Sequence, residues 1–253
     1  MTKPKKPLGG PAYGSIPHLP GSRRGPSDGG LSEQQARILL SETRDRLDIV
    51  TVSEKLDGSN VSVALHRGEI IPLTRAGYRA TDSPFPQHYF FHRWVMKRED
   101  RFRALLNEGE RVVGEWLIQA HGTRYALPHE PFVVFDIMEG KERRPYVSLC
   151  LRAQPDFVLP KLLFRGSSGF SIEKALEGIE VSGHGAVDPV EGAVWRVERK
   201  GKVDFLGKYV RPGKVDGCYL EQKNGWGMPM WNCFVPGPGV FPDHVKLSQP
   251  LFP

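Results

Sequence analysis

Two strand-like runs, Ile49-Val50-Thr51-Val52 and Val61-Ser62-Val63-Ala64-Leu65, flank the heptapeptide Glu54-Lys55-Leu56-Asp57-Gly58-Ser59-Asn60. β-Branched and alternating side chains suit a pleated, half-buried surface, so this spacing predicts two strands joined by a tight turn. Asp57 supports such a turn through its side chain, and Gly58 is expected to take a positive φ and let a phosphate approach the backbone. Lys55 then stands at a strand end beside the turn. A lysine attacks phosphorus only as the free amine, so a nucleophilic role requires neighbouring cations, a metal or partial desolvation to lower its pKa. Lys55-Leu56-Asp57-Gly58 alone equally describes a surface hairpin, and the rest of the chain must decide.

At 253 residues the chain has material for one large domain or two small ones. Cys150, Cys218 and Cys233 are far apart and form no Cys-x-x-Cys, which excludes a zinc-ribbon or dithiol redox design and suits a reducing, cytoplasmic setting. No apolar run reaches the ~18 residues of a membrane helix, and the basic N-terminus lacks the apolar stretch of a signal peptide. The net charge of +6 is compatible with a polyanionic partner. Its placement is uneven. Residues 1–30 carry Lys3, Lys5, Lys6, Arg23 and Arg24 against Asp28, and thirteen of the thirty are Gly or Pro. That composition predicts a flexible basic arm, solvated or in contact with phosphates.

Order is expected from Leu31. Ser32 and Gln35 form a capping box that opens a helix with Ala36, Leu39, Leu40, Thr43 and Leu47 on one face. Strand character runs from Ile49 to Leu73, helix from Phe85 to Leu106, and short strands follow at 111–117, 132–137, 192–197 and 203–206. A short helix is expected over Ser171–Gly178. The three segments are therefore a flexible arm over 1–30, an ordered domain over 31–234 and a Gly/Pro-rich tail over 235–253. Runs of strands with a few helices indicate an α+β class rather than alternating βα units.

Several charged residues sit where the strand pattern calls for apolar ones. Arg75 lies at a strand exit, Glu115 interrupts an apolar strand, Glu191 opens another, and Lys208 and Arg211 follow a third. Burying a carboxylate is costly unless it is paired or metal-bound. Two such acids, three basic residues and a candidate nucleophile would make a phosphate and metal site.

The collinear series Lys55-x-Asp57-Gly58, Arg75-x-Gly77, Gly114-Glu115, Phe135-Asp136-Ile137, Glu191-Gly192-x-Val194 and Lys208-Tyr209-Val210-Arg211 resembles the motifs of the covalent nucleotidyltransferases: DNA ligases, RNA ligases and mRNA capping enzymes. Within that superfamily Glu54-Lys55-x-x-Gly58-x-Asn60 is similar to the RNA ligases. So is Gly114-Glu115-Trp116-Leu117 with His121, Tyr125 and Leu127-Pro128, as in bacterial and phage members. The resemblance implies a nucleotidyltransferase (ATP-grasp-like) ligase adenylation domain of mainly antiparallel sheets with flanking helices. It implies an ATP-dependent enzyme requiring Mg²⁺ or Mn²⁺.

By the same resemblance Lys55 attacks the α-phosphate of ATP, expels pyrophosphate and carries AMP. Asp57 and Gly58 shape the turn, Glu54 reads adenine, and Asn60 positions the phosphate or RNA end. Arg75 meets phosphate or ribose, Glu115 the ribose hydroxyl, and Phe135 stacks on the base. Glu191 holds the metal and Lys208, with Arg211, contacts phosphate. The acceptors implied are RNA 5′-phosphate and 3′-hydroxyl ends, or DNA ends.

Two departures qualify this picture. Many ligases have Lys-x-Lys where this chain has Lys208 and, three positions on, Arg211. Only 42 residues follow Arg211, too few for the OB domain of DNA ligases and capping enzymes, so nucleic-acid binding is expected from the core surface, the arm or a protein partner. The alternatives are a capping-type guanylyltransferase, a DNA ligase, or a non-catalytic nucleotide- or RNA-binding protein. His88 and His92 form an i, i+4 pair without the glutamate of a His-Glu-x-x-His zinc site. Trp195, Trp226 and Trp231 are candidates either for base stacking or for packing.

Overall fold

The structure, a computed structural model, describes residues 4–154 and 156–234. Eleven strands are described: β1 (Asp48–Lys55), β2 (Ser59–His66), β3 (Glu69–Thr74), β4 (Glu110–Trp116), β5 (Ala126–Leu127), β6 (Phe132–Glu139), β7 (Glu142–Arg143), β8 (Leu162–Gly166), β9 (Gly192–Arg199), β10 (Lys202–Val210) and β11 (Cys233–Phe234). They form a four-stranded sheet ordered β10-β9-β1-β8, a five-stranded sheet ordered β3-β2-β4-β6-β7, and a short β11-β5 pair. Among the described strand pairs, those in the two large sheets are antiparallel and β11-β5 is parallel. The α+β class with mainly antiparallel sheets is therefore present as expected.

β1 and β2 do not pair with each other. β1 lies between β9 and β8 in one sheet, whereas β2 lies between β3 and β4 in the other. Residues 56–58 thus form a crossover between sheets, not a hairpin. Gly58 also departs from expectation, because its φ is not in the positive range. Its need for glycine is steric: a Cβ there would stand 2.6 Å from the Trp116 carbonyl oxygen and 2.9 Å from Leu117 Cδ2.

Helices pack against both large sheets. α1 (Glu33–Leu40) carries the expected capping box between Ser32 and Gln35. It stops at Leu40, and Leu47 is exposed rather than part of its buried face. The single helix expected over 85–106 is two, α2 (Pro86–Met96) and α3 (Glu99–Leu105). α4 (Tyr146–Ala153) had no strong sequence signal, while α5 (Ile172–Gly178) is capped by Ser171 as expected. One core joins β2, β4 and β6 to the three helices α2, α3 and α4 through Val63, Phe91, Phe102, Trp116, Phe132 and Leu149. A second joins β1, β9 and α1 through Leu39, Val50, Val52 and Trp195. Trp195 is wholly buried and its indole N–H donates to the Phe170 carbonyl at 2.8 Å, so it packs rather than stacks on a base. No described helix is long and apolar enough to cross a membrane.

The N-terminal segment is not a solvated arm in its described part. Ala12, Tyr13, His18 and Leu19 are buried. Ala12 and Tyr13 donate backbone N–H groups to the Arg75 carbonyl, Leu19 donates to that of Lys208, and Lys208 donates to that of Pro17. The Gly/Pro-rich composition concealed a few well-placed apolar residues whose extended backbone finds partners on strand ends. The tail expected over 235–253 lies outside the described residues.

Candidate active site

Strand alternation assembles the site. Thr51, Ser53 and Lys55 on β1, Val194 and Arg196 on β9, and Leu206 and Lys208 on β10 lie two residues apart and line one cleft of about 940 Å³. The other sheet contributes Asn60, Glu115 and Phe135. The crossover at 56–58 carries Lys55 to the line where the sheets meet.

There Lys55 Nζ lies 2.5 Å from Glu191 Oε2 and donates also to the Leu56 carbonyl at 3.2 Å. The two side chains are 21% and 9% exposed. Burial alone would lower the lysine pKa. The charges of Glu191, Glu115 and Asp57 outweigh it and hold the ammonium above the ordinary lysine range. The expected cation-rich surroundings of Lys55 are thus carboxylate-rich here, and its proton is held rather than loosened. Lys208 shifts the other way, lowered by burial and by the charge of Lys55. Burial pushes the Glu115 carboxyl up to about 7 against the pull of Lys55, and its Oε1 accepts the Gly58 N–H at 3.0 Å. Burial also raises Glu191, against the pull of Lys55.

Asp57 anchors the crossover. Its carboxylate accepts the Gly122 N–H at 2.9 Å and lies 3.0 Å from Lys214 Nζ, while its own N–H donates to the Tyr125 hydroxyl at 3.1 Å. Lys214 is buried and also donates to the Gly122 carbonyl and the Thr123 hydroxyl. Ser59 Oγ meets His121 Nε2 at 3.3 Å, and both line the cleft. Asn60 borders the cleft with a buried Oδ1 that has no hydrogen-bond partner.

The remaining candidates divide. Arg75 lies at the cleft with an exposed side chain, its Nη2 donating to Ser15 Oγ at 3.0 Å and the Gly14 carbonyl at 3.4 Å. Phe135 meets the Tyr13 ring edge-on, with centroids 5.4 Å apart. Glu54, one residue before Lys55, also lines the cleft, but its carboxylate is already engaged. It is 1% exposed and accepts the Ser182 hydroxyl at 2.6 Å and the Gly183 N–H at 2.8 Å. Any reading of adenine by Glu54 competes with these donors. Arg211 is not brought to the cleft: it lines a separate cavity of about 440 Å³ with Glu173, Glu177 and Glu180 of the α5 region.

Sequence reasoning missed Tyr13, Ile16, Arg196 and Lys214. Arg196 shares the period-2 face of Val194 and could have been found that way. Tyr13, Ile16 and Lys214 reach the site through loops, for which no local pattern exists.

Among the described residues, no three His, Cys, Asp or Glu side chains cluster into a metal cage. One carboxylate, Glu191, facing a cleft roomy enough for a nucleotide is the donor set that suits Mg²⁺ or Mn²⁺ shared with substrate phosphates. Two lysines and an exposed arginine at one cleft can hold phosphate, and Phe135 beside Ile16 offers an apolar surface to a base.

The structure is similar to an archaeal ATP-dependent RNA ligase in its form 2, at 17% identity over 79% of this chain and 48% of that one, with a TM-score of 0.45. It is similar to Naegleria gruberi RNA ligase with PPi, at 16% identity over 71% and 53% of the two chains and a TM-score of 0.45. A mutant of the same Naegleria enzyme with ATP and Mn gives 16% identity, 85% and 63% coverage and a TM-score of 0.47. The chain spans about half the length of the first two of these proteins. No curated protein matches it in sequence. The family model for RNA ligase matches residues 48–210, the stretch that holds Lys55, Arg75, Glu115, Phe135, Glu191 and Lys208, and the chain belongs to the RNA ligase family.

Proposed function

We propose that this chain is an ATP-dependent RNA ligase, or at minimum an RNA-ligase-like adenylyltransferase, that carries AMP on Lys55. The observation that carries the reading is Lys55 Nζ at the meeting line of two sheets, 2.5 Å from Glu191 and on the same cleft wall as Lys208. In the first step Lys55 Nζ gives its proton to solvent and, as the free amine, attacks the α-phosphorus of ATP. An N–P bond forms and the P–O bond to pyrophosphate breaks. Lys208 and Arg75 offset the negative charge that develops on the phosphoryl oxygens. A divalent cation held by Glu191 and the phosphates would share that charge and draw off the carboxylate that holds the Lys55 proton.

In the second step an oxygen of an RNA 5′-phosphate attacks the phosphorus of lysyl-AMP, and the N–P bond breaks. In the third a 3′-hydroxyl attacks the activated 5′-phosphate and AMP leaves. Glu115 is suited to the ribose hydroxyls and Phe135 to the adenine face. Asn60, whose buried Oδ1 has no partner, is suited to a donor on the substrate.

The test is incubation with α-labelled ATP or GTP and Mg²⁺ or Mn²⁺, followed by denaturation. Label from ATP on the chain, and its loss in Lys55→Ala, is expected. No label from either nucleotide would sink the reading, and label from GTP alone would replace it with a guanylyltransferase. The labelled chain is then given 5′-phosphorylated RNA or DNA, and transfer of AMP to RNA ends is expected.

A further inference from the structure

The family match begins at residue 48, yet the cleft is also lined by Pro4, Tyr13, Gly14 and Ile16. Residues 12–19 reach three of the proposed site residues in turn. The Tyr13 ring lies edge-on to Phe135 at 5.4 Å, and Ile16 packs in the same cluster. Ser15 Oγ and the Gly14 carbonyl accept from the Arg75 guanidinium. Pro17 and Leu19 exchange backbone hydrogen bonds with Lys208.

The segment is locked at its start and upstream. The Tyr13 hydroxyl donates to Asp136 Oδ2 at 2.8 Å, and that carboxylate, wholly buried, is also held by Arg143 and Arg196. Arg111 Nε donates to the Ala12 carbonyl at 2.7 Å. Gly77 sits at φ +89°, where a Cβ would collide with the Gly10 carbonyl oxygen. A chain laid over a glycine and tied by a buried phenol–carboxylate bond is fitted to its track.

We infer that residues 12–19 are a fixed wall of the nucleotide site, and that Tyr13 is a positioning residue that sets the ring of Phe135 for the base of ATP. The inference rests on the adenylylation reading above. Tyr13 acts through Phe135: an edge-to-face ring restrains the angle of its neighbour, and the Asp136 bond restrains Tyr13. Its loss therefore weakens nucleotide binding more than the phosphoryl step at Lys55.

The test uses the full chain, Tyr13→Leu and Tyr13→Phe, with melting temperature recorded for each. ATP binding is read by displacement of a fluorescent ATP analogue, and transfer by label on the denatured chain. Tyr13→Leu is expected to raise the ATP concentration for half-maximal labelling about two- to tenfold, with the saturated rate within about twofold. Tyr13→Phe, which keeps the ring edge, is expected to recover most of the affinity. Unchanged half-saturation in a folded Tyr13→Leu overturns the inference, as does a loss confined to the saturated rate. Hydrogen exchange of the unaltered chain needs no substitution: slow exchange at the bonded amides of Ala12, Tyr13, His18 and Leu19 before ATP is added supports a fixed wall, and exchange there as fast as in an unfolded chain overturns it. A chain that takes label and fails these measurements overturns this inference alone. A chain that neither binds ATP nor takes label overturns the adenylylation reading and this inference with it.

Discussion

Lys55 and Glu191 form one tightly coupled pair, and the state of one sets the reactivity of the other. The carboxylate at 2.5 Å is the first of three charges that hold the lysine proton against burial. Removing that charge lowers the Lys55 pKa, because burial then faces weaker opposition. Glu191→Gln is accordingly expected to shift the pH at which Lys55 reacts with an amine reagent downward by about 1–3 units, followed site by site with mass spectrometry. An unshifted profile would show that Glu191 does not hold the proton. The measurement requires no metal and no ATP, so it separates the proton-holding role from metal binding. Gly58 makes a related point. Its glycine was legible from the turn signal, but the reason for it was not, since the crowding carbonyl of Trp116 is 58 residues away in sequence.

At the scale of elements, one buried carboxylate ties three pieces of the five-stranded sheet's covering. Glu110 opens β4 and is 1% exposed. It accepts from Arg152 of α4 at 2.5 Å, from Arg144 at 2.9 Å and from the Asn107 N–H at 2.9 Å. Burial raises its pKa, but these donors prevail and set it at about 2. Because the folded value lies below the ordinary 4.5, the stability Glu110 supplies is present above that pH and is lost as pH falls toward about 2. Glu110→Gln is expected to cost about 2 kcal/mol at neutral pH by leaving the half-buried Arg144 and Arg152 guanidinium groups without their partner charge. In urea titrations the gap between the two proteins should close as pH drops from about 5 to 2. A constant gap would mean that packing, not charge, sets the cost.

Among the described residues, the two large antiparallel sheets line one cleft, and a crossover passes between them. A ligand that spans the cleft contacts both sheets and stabilises the folded chain by mass action. ATP with Mg²⁺ at ~100 times its dissociation constant is expected to add about 2.7 kcal/mol, read as a rise in melting temperature. Lys55→Ala, which retains the cleft, should respond as well, although it takes no label. An unmoved melting temperature in both proteins would argue against nucleotide binding in this cleft. From the chain alone came the capping box at Ser32, the strands around Lys55, the odd acids Glu115 and Glu191, and the ordered motif series that marks the family. These are local patterns, or fixed residue types, that survive without knowledge of neighbours. The pairing of β1 and β2 with different sheets, the engagement of the Glu54 carboxylate by Ser182 and Gly183, the placing of Arg211 in a separate cavity, and the docking of residues 12–19 were decided only in three dimensions. Each depends on which distant backbone groups and charges come within a few ångströms, and no periodicity of 2.0 or 3.6 residues records that.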